Sequence, residues 1–114
     1  MPQLLTGILL LLLLSQQAVA DYDTGERLYA DCISDNYFNK GYCGGYVTGI
    51  IAALVNMQRY HLLPDSSLCV PDDISKAQLV EAVRKYLDDH AQYRSREAVN
   101  LVPEALNAAF PCRK

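Results

Sequence analysis

Residues 43–57, CGGYVTGIIAALVNM, restrict the fold of this chain more than any other stretch. Between residues 46 and 57 only Thr48 and Asn56 are polar, and a helix that is apolar on nearly every side is normally a buried one. The stretch is shorter than the ~20 apolar residues that a bilayer-spanning helix needs. It therefore predicts the central helix of a small soluble bundle.

The two faces of this predicted helix differ in the size of their side chains. Gly45, Gly49 and Ala53 recur at every fourth position, and small residues let another helix approach closely, at roughly 1 kcal/mol of helix propensity per glycine. We therefore expect a second helix against this face, so that Gly49→Leu would overpack it and cost roughly 1–3 kcal/mol. The other face carries a stripe of large apolar side chains: Tyr46, Val47, Ile50, Ile51 and Leu54.

Residues 1–20 have the pattern of a secretory signal peptide. A leucine-rich run over residues 4–14 precedes Ala18-Val19-Ala20, which has the small-x-small form of a cleavage site. No Lys or Arg precedes the run, so an uncleaved anchor is the alternative. Cleavage after Ala20 leaves residues 21–114, a length typical of one small domain, without a stable membrane anchor.

The composition favours an all-α protein that does not bind nucleic acid. All charged residues lie within residues 21–114, and their formal net charge is −3, whereas a nucleic-acid-binding domain normally shows a basic patch or stripe. No run alternates apolar and polar residues with the period of a strand. We expect a small, disulfide-stapled, all-α bundle of about four helices.

The segments on either side of the central stretch divide into a helix and two connections. Thr24 is a suitable N-cap for a helix that ends near Ile33, and Glu26 lies in its first turn, where a carboxylate suits the helix dipole. A polar, turn-rich connection is predicted over residues 34–42, because Asp, Asn and Gly there are helix breakers. The central helix should then end near residue 60, and residues 61–68 should form a loop.

Two further helices are predicted in the second half of the chain. Ser75 and Gln78 fit a capping box that starts one of them. The other should begin near Ser95, bend at Pro103 and end at Pro111. The apolar stripe of the first comprises Leu79, Val80, Val83, Tyr86 and Leu87, and that of the second comprises Ala98, Leu101, Val102, Ala105, Leu106, Ala109 and Phe110.

The four cysteines, Cys32, Cys43, Cys69 and Cys112, indicate a disulfide framework, because an exported chain with an even number of cysteines normally pairs them. The absence of CxxC spacing argues against a zinc site or a thioredoxin-like redox site. Four cysteines allow three pairings. If neighbouring helices are antiparallel, Cys32 pairs with Cys43 and Cys69 with Cys112, which contribute roughly 3 and about 4 kcal/mol in the chain-entropy model.

No pattern in the sequence indicates catalysis. His61 lies in a predicted loop, and His90 lies at a predicted helix end, where an imidazole suits the dipole as a cap. The two pairs of adjacent aspartates do not face each other across a substrate. Tyrosine brings contact area at low entropy cost, and the chain has eight tyrosines. The prediction is an exported helical binding domain, not an enzyme, with no metal and no cofactor.

Three segments together resemble the Rap/Tai immunity family: residues 41–50 (GYCGGYVTGI), residues 69–90 (CVPDDISKAQLVEAVRKYLDDH) and residues 98–112 (AVNLVPEALNAAFPC). The resemblance covers most of residues 21–114. This chain departs from the family pattern at Ala91, where proline is common, and at Pro103. The matching positions include Cys43, Gly45, Tyr46, Gly49, Cys69, Pro71, Gln78, Tyr86, Leu87, Ala109, Phe110, Pro111 and Cys112.

This resemblance implies a periplasmic protein that protects its own cell. Members of the family are α-helical, are often homodimers, and bind peptidoglycan amidase effectors delivered by type VI secretion, whose active sites they block. The alternative from another class is a small periplasmic stress protein or chaperone that exposes apolar surface. An amidase effector gene beside this gene would favour immunity, and holdase activity at acid pH would favour the chaperone.

Two segments are candidates for the surface that grips a partner. An active-site blocker needs a protruding polar segment, and residues 88–96 are nearly all polar. Tyrosine and arginine are typical of binding hot spots, where truncation costs ~2 kcal/mol or more. The competing segment is residues 34–42, with Tyr37, Phe38 and Tyr42 as anchors. The polar residues of the first segment are Asp88, Asp89, His90, Gln92, Tyr93, Arg94 and Arg96.

Overall fold

A computed structural model describes residues 2–13 and 22–113. Within those ranges the chain forms five α-helices and two short 3-10 turns, and no strand occurs there. The predicted all-α class is confirmed. The helices are α1 (Pro2–Leu13), α2 (Gly25–Ile33), α3 (Tyr37–Arg59), α4 (Lys76–Asp89) and α5 (Ala98–Ala109), and the 3-10 turns are Asp65–Ser67 and Ala91–Tyr93.

The first helix lies within the predicted leader. α1 is rich in leucine and carries no acidic residue in its first turn and no basic residue in its last turn. The predicted cleavage site at residues 18–20 and the predicted first residue of the mature chain, Asp21, lie outside the described residues. Among the helices of the described ranges, none has the length and apolarity needed to cross a membrane.

The predicted starts of α2 and α4 are confirmed. Thr24 is the N-cap of α2, and its hydroxyl accepts a hydrogen bond from the Arg27 amide at 3.3 Å. Ser75 and Gln78 form the predicted capping box of α4, in which each side chain bonds the other residue's backbone amide, at 3.0 and 3.1 Å. Both arrangements satisfy amides that a helix start leaves without partners.

The prediction of a connection over residues 34–42 is wrong, because α3 begins at Tyr37 and only three residues separate it from α2. Asn36 is the N-cap of α3, and its side-chain oxygen accepts hydrogen bonds from the amides of Phe38 and Asn39. Asparagine is a strong N-cap as well as a turn residue. The residues read as breakers therefore include the one that starts the helix.

The core is built from one face of each helix in residues 22–113. All pairs among α2, α3, α4 and α5 are in contact. No polar or charged residue of the described ranges is buried. The buried residues are Leu28 from α2, Cys43, Val47 and Ile51 from α3, Leu68, Leu79, Val83 and Leu87 from α4, and Ala98, Leu101, Val102, Ala105 and Leu106 from α5.

The bulky stripe of α3 faces the core as predicted, but the opposite face is open. Val47 and Ile51 are buried and Tyr46, Ile50 and Leu54 pack partly against the core. The predicted close approach of a second helix to the glycine face is wrong within this chain, since Gly45, Gly49 and Ala53 are exposed. A Cβ added at Gly45 or Gly49 would meet no atom within 4 Å. A largely apolar helix is thus only half covered.

The last helix starts later than predicted, at Ala98 instead of Ser95, because residues 91–97 form a 3-10 turn and an extended link. Its stripe is buried except at its end, where Ala109 is exposed, contrary to prediction. The helix continues through Pro103. Phe110 is its C-cap, and Pro111 follows it as expected.

Both predicted disulfides are present. Cys32 pairs with Cys43 and Cys69 pairs with Cys112, each with Cα atoms 5.1 Å apart. The first bridge joins the end of α2 to α3, and the second ties the segment before α4 to the residues after α5. The pairs therefore follow the order of the helices, as the antiparallel argument predicted.

Candidate functional site

The connection between α4 and α5 is fastened to the start of α2 by backbone hydrogen bonds. The amide of Gly25 donates to the Arg96 carbonyl at 2.8 Å, and the amide of Glu26 donates to the Arg94 carbonyl at 2.7 Å. The first amides of a helix have no acceptor within the helix. Here the connection supplies the acceptors, and in return the Ala98 amide donates to the Asp23 carbonyl at 2.8 Å.

Gly25 makes this close approach feasible. The residue is buried, and a Cβ placed on it would overlap Leu101 Cδ1 and lie 3.0 Å from the Arg94 Cα and 3.2 Å from the Arg94 carbonyl oxygen. Leu101 is itself fully buried and Arg94 contributes backbone atoms, so neither can move away cheaply. Any other residue at this position would push the connection off α2.

A ring of polar and aromatic side chains stiffens the connection from its other side. His90 stacks on Tyr86 with ring centroids 4.1 Å apart, and Tyr93 stacks on His90 at 5.4 Å. The Arg96 guanidinium lies 5.6 Å from the Tyr93 ring and binds Glu104 of α5 through two hydrogen bonds of 2.5 and 3.0 Å. The Tyr86 hydroxyl donates to the same carboxylate at 3.4 Å, which closes the ring.

The charges in this ring act on one another. The two hydrogen bonds from Arg96 hold the pKa of the Glu104 carboxyl below its usual value. Partial burial, with the nearby Glu104 charge, raises the pKa of the Tyr86 hydroxyl. Around neutral pH the pair is therefore ionised and the tyrosine neutral. His90 caps α4, as predicted, because its Nδ1 lies 2.8 Å from the Tyr86 carbonyl oxygen.

Arg94, predicted as a contact residue, points back onto the protein's own surface. Its guanidinium carbon lies 4.2 Å from the centroid of the Tyr29 ring, its Nε is 3.7 Å from a Glu26 carboxylate oxygen, and its side chain is only 17% exposed. The Tyr29 hydroxyl donates to Asp88 at 2.6 Å, which raises the tyrosine's pKa. Arg94 and Asp88 thus both clamp the connection to α2 through Tyr29.

The remaining predicted residues of the connection are directed outward. Asp89 and Gln92 are exposed, and Asp89 forms only a surface ion pair with Lys85, at 3.0 Å. Tyr93 is 38% exposed although one side of its ring is covered by His90. These three residues lie on a backbone that is anchored at both ends, so they form a preorganised polar surface.

The second predicted surface lies at the first turn of α3. Tyr37 is 91% exposed and Phe38 is 79% exposed, which is unusual for large aromatic side chains outside a contact surface. Asn36 and the bridge from Cys32 to Cys43 hold this turn in place. The connection after α4 docks at the start of α2, whereas these two aromatics follow its end, so the structure separates the two surfaces.

Tyr42, the third predicted anchor, is held by the protein itself. Its hydroxyl donates to the Asp23 carboxylate, and this hydrogen bond raises the tyrosine's pKa. Its ring stacks on Tyr46 with centroids 6.1 Å apart. Asp23 also pairs with Arg27 at 3.6 Å. Tyr42 therefore links α3 to the residues before α2, and about two fifths of it remains exposed.

The sequence analysis did not identify Gly25, Tyr29, Tyr86 and Glu104 as residues that shape the site. Tyr86 and His90 have i, i+4 spacing, which predicts contact on one helix face. A glycine directly after an N-cap is a similar signal for close approach. Nothing local predicts the pairing of Glu104 with Arg96, because the two residues face each other only after the connection has docked.

Comparison with known proteins places these features in a family. A sequence model described as Rap1a immunity proteins matches residues 24–112. This range begins at the N-cap of α2 and ends at the cysteine that closes the second bridge. No curated protein matches the chain.

Proposed function

The chain belongs to the Rap1a immunity protein family, and from this premise we propose that it protects its own cell by binding a toxic effector and blocking the effector's active site. The effector class that the sequence resemblance implies is a peptidoglycan amidase delivered by type VI secretion. The place of action is then the periplasm. The leucine-rich residues 4–14 and the two disulfides support that place.

We propose that residues 88–93 are the segment that enters the effector's cleft. The observation that carries this proposal is that exposed Asp89, Gln92 and Tyr93 stand on a backbone clamped to α2 and stacked on α4. A segment that is ordered before binding loses little conformational entropy on binding. Inhibition on this view needs no bond making, so the protein acts as a binding partner and not as an enzyme.

Tyr37 and Phe38 form the second proposed contact. Aromatic side chains dominate binding hot spots, and the exposure of these two leaves most of their area available to a partner. If residues 88–93 block the cleft, this second surface would contact the effector outside it. It should then contribute affinity without determining inhibition.

The test is inhibition of peptidoglycan hydrolysis by the effector encoded beside this gene, with affinity measured by calorimetry. Gln92→Ala with Tyr93→Ala should weaken binding at least about tenfold and relieve inhibition in proportion. Arg94 is kept in this variant, because its removal would loosen the connection and confuse folding with binding. Unchanged affinity at an unchanged melting temperature would contradict the placement of the contact.

A matched pair of aromatic variants separates the second contact from general apolar exposure. Tyr37→Ala with Phe38→Ala should lower affinity, whereas Tyr60→Ala with Leu62→Ala removes similar exposed area beyond the end of α3 and should not. Equal losses in the two variants would refute a specific contact. An effector that never binds the wild-type protein would refute the proposed function itself.

The open face of α3 is the proposed surface of a homodimer. Gly45 and Gly49 are exposed within a 23-residue helix, where each glycine costs roughly 1 kcal/mol relative to alanine. A second copy that approached this face would turn that cost into contact area. Gly49→Leu should then abolish a dimer seen by analytical ultracentrifugation while leaving the monomer folded. A monomeric wild-type protein at micromolar concentration would refute the dimer.

A chaperone function is less well supported by the surface. The most exposed large apolar residues of α3 and its flanks, Tyr37 with Phe38 and Tyr60 with Leu62, lie at opposite ends of a helix roughly 35 Å long. Such a distribution offers two small contacts instead of one continuous apolar patch. Failure to suppress aggregation of an unfolded test protein at acid pH would support the immunity reading.

A further inference from the structure

A groove between α3 and α4 lies apart from both surfaces assigned above. It has a volume of about 460 Å³. Its floor includes Gly44 and Gly45 from α3 and Ala77 and Val80 from α4, so the two helices leave room there for a polypeptide backbone to approach. Thr48, which also lines it, donates its hydroxyl to the Gly44 carbonyl at 2.7 Å, so this polar group is already satisfied.

The rim of this groove is positively charged although the whole chain carries a net charge of −3. Lys40, Lys76 and Arg84 line it together with a single acidic residue, Glu81. Arg84 and Glu81 bind each other through two hydrogen bonds of 2.6 and 2.8 Å and so largely neutralise each other.

The two lysines supply the charge that remains available. Neither Lys40 nor Lys76 forms an ion pair with another residue of the described ranges, within the 4.0 Å that defines the pairs found there. They approach the groove from different helices, one from the first turns of α3 and the other from the first residue of α4. A ligand in the groove would therefore meet a cation from each wall.

We propose that the α3–α4 groove binds an acidic, Asp- or Glu-rich segment of a partner protein. The floor offers contact to a chain and the rim offers charge complementarity, which together favour a polypeptide over a small ion. The net negative charge of the protein would repel such a segment everywhere else, so attraction must be local. This site is independent of the proposed immunity function, because none of its lining residues belongs to residues 88–93 or to the pair Tyr37 and Phe38.

The test is an NMR titration of the ¹⁵N-labelled protein with a capped hexaglutamate peptide at low salt, with capped hexalysine as the comparison. Hexaglutamate should shift the amide signals of Gly44, Gly45 and Ala77, and added salt should weaken its binding. Hexalysine should leave those signals in place. Shifts spread over the whole surface, or none at all, would overturn the proposal.

Charge-matched variants complete the experiment. Lys40→Ala with Lys76→Ala should weaken hexaglutamate binding about tenfold, whereas Arg59→Ala with Arg113→Ala removes the same charge away from the groove and should change it less than twofold. All variants must keep the wild-type melting temperature, which is expected because the four side chains are exposed. Equal losses in the two pairs would show that only net charge matters and would refute the site.

Discussion

Replacing Gly49 with alanine should stabilise this protein, although the sequence alone predicted that the position is packed. The structure leaves nothing within 4 Å of an added Cβ, so alanine meets no steric cost. It gains roughly 1 kcal/mol of helix propensity in the middle of α3. For a domain of this size that corresponds to a rise in melting temperature of roughly 4–8 °C.

Gly25→Ala is the matched comparison, because the same added methyl group meets buried Leu101 and the Arg94 backbone. Overpacking of this kind typically costs roughly 1–3 kcal/mol, so the two glycine variants should move the free energy of unfolding in opposite directions. Urea denaturation followed by circular dichroism, with both disulfides intact, measures the two differences directly.

The protein concentration decides how the result for Gly49 is read. At the lowest usable concentration, where a dimer would dissociate, a loss of stability in Gly49→Ala would refute the open face. At high concentration, a smaller gain than in dilute solution would indicate that a second copy covers it. A gain that is independent of concentration would leave the face to solvent.

Three further outcomes are expected. The Glu104 carboxylate has a pKa below its usual value of about 4.3 because of Arg96, so its contribution to stability is complete above about pH 4.3 and is lost as the pH falls through the lower value. Glu104→Gln should thus narrow its stability gap from wild type between pH 5 and pH 3, roughly. Cys69→Ser with Cys112→Ser should cost about 4 kcal/mol in the chain-entropy model, measured by urea denaturation, and a loss below 1 kcal/mol, roughly, would contradict that model. Intact-mass analysis of periplasmic material should find a chain that begins at Asp21, and retention of Met1 would refute cleavage of the leader.

Local signals in the sequence were sufficient to predict most helix starts and both bridges. Capping by Thr24 and by Ser75 with Gln78 depends on residues within three positions, so no tertiary contact can hide it. The disulfide pairs followed from helix order because each pair lies at adjoining helix ends.

The start of α3 could not be read from propensity. Residues 39–45 contain three glycines and two other weak helix formers, which argue for a turn in isolation. In the fold, Asn36 caps the first turn, and the burial of Cys43 and its bridge to Cys32 fix the second. Tertiary contacts therefore outweigh the local preference. The open glycine face was misread for a related reason, since a small side chain permits close packing without requiring it.

The candidate site was predicted as a segment but not as an arrangement. The polar composition of residues 88–96 is visible in the sequence. The inward turn of Arg94 is not, because it depends on Tyr29 and Glu26, more than sixty positions earlier in the chain. Composition distinguishes a surface segment from a core segment, but the division of its residues into clamps and contacts arises only when distant helices meet.

The bridge between Cys69 and Cys112 also determines what a protease can do to this protein. The bond closes a covalent loop that contains α4, the connection and α5. A single cut anywhere inside that loop, including one in the exposed residues 88–93, leaves both new ends attached to the same molecule. The nicked chain keeps its mass until the bridge is reduced. An envelope protease would have to cut the chain twice within this loop to release a fragment from it.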